Sequence, residues 1–128
     1  MKLNQDLIRN ILLTIEEETT YSNPLIVNWN NEENKGYNLL SSYSSDEIFY
    51  HLQQSSKSDL IEANFNEDFI TIFGLTPKGH SYIENIRNDD NWNKIKSIGK
   101  KLGTKSLDAL IQISSNVVTE LIKSYFNF

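Results

Sequence analysis

The stretch "LTPKGHSYIENIR", Leu75 to Arg87, constrains this chain more than any other. Thr76 is a helix-capping residue type, and Pro77 suits the first helical position, where its missing N–H costs nothing. Gly79 then stands in the first turn, although alanine would favour a helix there by about 1 kcal/mol. A glycine at that point makes sense if another part of the chain approaches too closely for a side chain to fit. The preceding segment, "DLIEANFNEDFITIFGL", alternates like a hairpin. Leu60 to Phe65 and Phe69 to Leu75 are strand-like, and Asn66, Glu67 and Asp68 supply the turn. A hairpin thus runs directly into a capped helix.

Upstream, Leu3, Leu7, Ile8, Ile11, Leu12 and Ile15 recur at helical spacing, with Asn4 as N-cap and Leu3 stapling to Ile8. Glu16, Glu17 and Glu18 crowd the far end of that helix and read as a solvated face. "NPLIVNW" predicts a short strand from Leu25 to Trp29, and "NNEENKGYN" a polar loop. Ser44 and Glu47 have capping-box spacing for a second helix running to about Ser56, with Ile48, Phe49 and Leu52 inward.

Helix, short strand, helix, β-hairpin wing, helix is an α+β order that looks like a winged helix, and residues 1–90 are expected to form such a domain. Winged-helix regulators commonly carry a leucine-threonine-x-x-glycine signature after the wing, matched here by Leu75, Thr76 and Gly79. Three segments, "MKLNQDLIRNILLTIEE", "YHLQQSSKSDLIEA" and "LTPKGHSYIENIRNDDNWNKIK", resemble an uncharacterised winged-helix family of Gram-positive phages and prophages, similar to YjcQ-like proteins. Asp6, Arg9, Tyr50, His51, Leu52, Leu60, Ile61, Gly79, His80, Asn85, Arg87 and Trp92 stand in register with it. The resemblance implies a fold and a genomic habitat, and no activity. Two departures stand out. Gln54, Ser55 and Ser56 replace apolar helix residues, so that face is either exposed or covered by another segment. Asp59 replaces a glycine at a left-handed turn, a conformation Asp tolerates better than most residues.

Several function classes are disfavoured by composition. The chain has no cysteine, which removes disulfides, thiolate metal sites and cysteine nucleophiles. Charge appears too early for a signal peptide, and no apolar run approaches a membrane span, so a cytoplasmic protein with no membrane partner is expected. No phosphate loop, nucleophile elbow, zinc pattern or dinucleotide fingerprint is present. His51 and His80 are the only histidines; each reads as structural, and even with Glu84, Asp89 and Asp90 nearby His80 lacks a converging ligand set. Asp89 and Asp90 read as an acidic loop. No enzyme and no cofactor are expected.

Charge distribution bears on nucleic acid. Residues 1–90 carry 15 acids and six bases, whereas residues 91–105 carry five lysines and no acid. The second helix opens with Asp46 and Glu47, offers only Gln53 and Gln54 as base-reading types, and the wing tip holds Glu67 and Asp68. Duplex recognition wants cations at those places. Lys94, Lys96, Lys100, Lys101 and Lys105 could grip phosphates, with Trp92 beneath or stacking, and they keep a DNA-binding regulator as the alternative.

Residues 91–128 form a C-terminal extension: this basic segment, then an amphipathic helix capped by Ser106. Leu107, Ile111, Ser114, Val118, Leu121 and Tyr125 recur with spacing 4-3-4-3-4, widened by Leu110, Val117 and Ile122. Such a stripe must be covered by a second copy, by the chain's own body or by a foreign protein. The expectation is a non-enzymatic protein acting through protein–protein contacts, with a homodimer built on Leu107, Leu110, Ile111, Val118, Leu121 and Tyr125.

Overall fold

The computed structural model describes residues 1–28 and 37–126. Within them the chain is α+β, with five α-helices and one three-stranded antiparallel sheet. By internal contacts it divides into two compact units, Met1–His80 and Ser81–Phe128.

The first unit begins with α1, Gln5–Glu18, whose cap is Asn4: its side-chain oxygen accepts the Leu7 N–H at 3.1 Å. The periodic apolar residues Leu7, Ile8, Ile11, Leu12 and Ile15 are all buried. Strand β1, Leu25–Asn28, follows; the expected strand end at Trp29 and most of the expected polar loop lie outside the described residues. A 3-10 turn at Asn38–Leu40 precedes α2, Ser45–Lys57. The capping box forms as its spacing predicts, with Ser44 Oγ accepting the Glu47 N–H and the Glu47 carboxylate accepting the Ser44 N–H. The helix runs one residue past Ser56, so it ends on Lys57.

Strands β2, Ile61–Phe65, and β3, Phe69–Leu75, form the hairpin. Asn66 organises its turn by accepting the N–H groups of Asp68 and Phe69. β1 pairs with β3, giving the order β1-β3-β2. Ile70 and Ile72 point into the core with Leu25 and Val27, and α1 packs against α2 and β3. On the opposite face Ile26 and Phe73 are exposed.

Helix α3, Pro77–Ile86, starts in the first unit and continues in the second. Its residues Tyr82, Ile83 and Ile86 are buried. Asp89 and Asp90 are the first turn of a further helix, α4, Asp89–Lys101, and not the loop expected from the sequence. Asn88 caps it by accepting the Asn91 N–H, which puts both carboxylates at the positive helix end. Lys94, Lys96, Lys100 and Lys101 lie on this helix, and Lys105 lies in the link that follows it. Helix α5, Leu107–Phe126, matches the expected amphipathic helix, and Ser106 Oγ accepts the Ala109 N–H.

Candidate interaction surfaces

The corner that joins α2 to the hairpin and the hairpin to α3 is locked by short polar contacts. Asp59 takes the left-handed conformation at φ 60°, as its place in the turn requires. Leu60 follows, and its carbonyl accepts the Thr76 N–H at 3.0 Å. The Thr76 hydroxyl donates to the Asp59 carbonyl and accepts the Gly79 N–H at 3.0 Å. A Cβ on Gly79 would stand 2.0 Å from the Leu60 oxygen, well inside any tolerable contact. The glycine is demanded by the close approach of Leu60, the residue that leads into the hairpin.

His51 is 1% exposed and bridges two helices. The Asn4 backbone N–H lies 2.8 Å from Nε2, and Nδ1 lies 2.6 Å from the Glu47 carbonyl. A backbone N–H can only donate, so Nε2 accepts and the single ring proton sits on Nδ1. Burial lowers the His51 pKa, outweighing the Glu47 carbonyl and carboxylate, which favour the cation. This is a structural histidine. Ser55, one turn on, is fully buried and donates to the His51 carbonyl, so at Ser55 the polar stretch of α2 is covered.

The outward side of α2 presents Asp46, Gln53 and Lys57, with Gln54 half-buried. At the hairpin tip Glu67 and Asp68 are exposed. In the second unit Lys94, Lys100, Lys101 and Lys105 are exposed, while Lys96 is half-buried with its Nζ 5.4 Å from the Trp92 ring centre. Trp92 itself is 3% exposed, so it supports Lys96 from beneath and offers no face for stacking on a base.

Helices α4 and α5 form a hairpin joined by a five-residue link, Leu102 to Ser106. Gly99 permits their close approach, its Cα facing the Leu110 methyl. The inner side of α5 consists of Leu107, Leu110, Ile113, Ser114 and Val117, all buried. Within the expected stripe, Ile111 and Val118 are half-buried, whereas Leu121 and Tyr125 are exposed. Ile113 signals the rotation: the face that meets α4 is turned away from the 4-3 seam. An open groove of about 500 Å³ runs between the helices, lined by Ile98, Leu102, Ile113, Val117 and Leu121, with Lys94 on the α4 wall and Glu120 on the α5 wall. Spacing within α5 alone could not reveal it, because the second wall comes from the lysine helix.

No described helix is long and apolar enough to cross a membrane. Among known proteins, the chain is similar to an uncharacterised protein of Haemophilus influenzae, with 32% identity over 127 residues covering 95% of this chain and 99% of the relative. No solved structure matches it. Residues 2–105 match the family described as hypothetical protein DUF2513, and the chain belongs to that family.

Proposed function

We propose that this is a non-enzymatic, cytoplasmic winged-helix protein of phage or prophage type that acts through protein–protein contacts as a homodimer. The winged-helix reading is supported by the order α1, β1, 3-10 turn, α2, β2, β3, α3, with β1 adding to the hairpin at β3. The phage reading rests on the sequence resemblance. The protein-contact reading rests on one observation above others: the helix that would enter a groove opens with Asp46 and Glu47, and the wing tip carries exposed Glu67 and Asp68. Carboxylates at both places repel phosphate.

The alternative is a DNA-binding regulator, favoured by the exposed Lys94, Lys100, Lys101 and Lys105. Fluorescence anisotropy with a labelled mixed-sequence duplex at low and physiological salt separates the two. The protein-contact reading expects no saturation at tens of micromolar protein at physiological salt. Tight binding with a steep salt dependence would establish the regulator instead.

A further inference from the structure

We infer that His51 makes the N-terminal segment, residues 1–4, an acid-opened arm: protonation of the ring frees this segment while the body of α1 stays in place.

The arm is tied down through Asn4. Its backbone N–H donates to His51 Nε2 at 2.8 Å. Asn4 in turn holds the first turn of α1, its side chain accepting the Leu7 N–H and its carbonyl the Ile8 N–H, both at 3.1 Å. On the other edge of the ring, Nδ1 donates to the Glu47 carbonyl. A second proton must therefore go to Nε2, where it would stand against the Asn4 N–H, donor facing donor. The ring is too deeply buried for water to relieve that clash while the arm is docked.

Departure of the arm is the smallest movement that relieves it. Met1 and Lys2 are exposed and Leu3 and Asn4 half-buried. Leu7, Ile8, Ile11, Leu12 and Ile15 are each at most 1% exposed, so they keep α1 seated without the arm. Once the arm has left, the Nε2 edge meets water, which solvates the cation.

The ring's neighbours offer no other relief. The Glu47 carboxylate favours the cation, but it acts from the ring's own helix, and burial outweighs it. Tyr50 meets the ring edge-on at 5.1 Å with a phenol that acid leaves uncharged. From the α1 side Asn4 presents an uncharged amide; of the charged residues near it in the chain, Lys2 and Asp6 are exposed and Arg9 half-buried. Glu62, on the strand β2 that packs against α2, is exposed too. The docked ring thus resists the proton, and the undocked ring takes it near the ordinary value of about 6.5. The arm is closed at neutral pH and opens progressively as pH falls below that value.

NMR of the full chain from pH 7.5 to 5 tests the inference, following the His51 ring and the backbone amide order parameters, with circular dichroism for helix content. As the ring titrates, the order parameters of Leu3 and Asn4 should fall from a rigid value of about 0.85 to below about 0.6. Ile11, Leu12 and Ile15 should stay rigid and the helix content should hold. His51→Gln places a carboxamide oxygen where Nε2 stands and has no proton to gain, so its arm should stay rigid throughout. The inference is overturned by an arm that is already mobile at pH 7.5, or that stays rigid after the ring is protonated. It is equally overturned by an arm that loosens as much in His51→Gln. Loss of the helices together with the arm, or a ring that takes no proton before the chain unfolds, also overturns it and leaves His51 a determinant of overall stability alone.

Discussion

Gly79 faces the carbonyl of Leu60 so closely that a methyl carbon placed on it would come 2.0 Å from the oxygen. The same oxygen accepts the Thr76 N–H, so it cannot retreat without breaking the corner. Gly79→Ala should therefore destabilise by about 2 kcal/mol or more, although alanine is the better helix former by about 1 kcal/mol. A thermal melt is expected to show a Tm lower by roughly 5–10 °C. A variant that melts at or above wild type would show that the close approach does not exist in solution.

Gly99 offers the contrast. A Cβ there would meet the Leu110 Cδ1 at 2.9 Å, the tip of a side chain that can rotate aside. Gly99→Ala should stay within about 1 kcal/mol of wild type, the helix gain offsetting the repacking. Urea titration of both glycine variants side by side checks the ranking; equal losses would contradict it.

The neutral ring of His51 makes stability depend on pH. Its folded pKa lies below the ordinary 6.5, so the unfolded chain binds the proton more readily. The contribution is complete above about pH 6.5 and is lost as pH falls below that value towards the folded pKa. Denaturant midpoints at pH 7.5, 6.5 and 5.5 should fall in wild type and fall less in His51→Gln. Parallel curves would remove His51 from the account.

Tyr82 is 1% exposed, and its buried hydroxyl has no hydrogen-bond partner among the described residues. Burial accordingly pushes its pKa up. Taking an unsatisfied hydroxyl out of the interior removes a cost of about 1–3 kcal/mol while the ring keeps its packing. Tyr82→Phe should leave stability unchanged or raise it, readable by calorimetry. A drop of a few degrees would mean that the hydroxyl is satisfied in solution.

Reversing the charges at the hairpin tip tests the protein-contact reading from the other side. Glu67→Lys with Asp68→Lys should create or strengthen nonspecific duplex binding, measured by gel shift at low salt. Should wild type already bind and the double variant lose that binding, the acids would be part of a DNA surface.

Much of the fold was legible because its signals are local. Asn4, Ser44 and Ser106 each cap the helix they precede, and Asn66 organises the turn where Glu67 and Asp68 stand exposed. Gly79 in "LTPKG" also pointed to a close approach, though not to Leu60 as the group approached. What escaped depended on partners distant in the chain. Asp89 and Asp90 are the local exception: Asn88, the cap that makes them a first helical turn, adjoins them in the sequence. The face α5 turns to α4 was misaligned because Ile113 lies off the 4-3 seam and is buried only in the company of the lysine helix. The groove needed both walls, and periodicity describes one helix at a time.

The bridge between Asn4 and His51 has unequal ends. At position 4 the donor is a backbone N–H, which every residue except proline supplies, so many substitutions there keep the bond even when they weaken the cap. At position 51 the side chain must donate along one edge and accept on another in a space closed to water. Imidazole does this without a charge, and a carboxamide is the nearest substitute. In a library of random variants selected only for folding, position 51 should thus be narrow and position 4 broad, though the two residues share one bond.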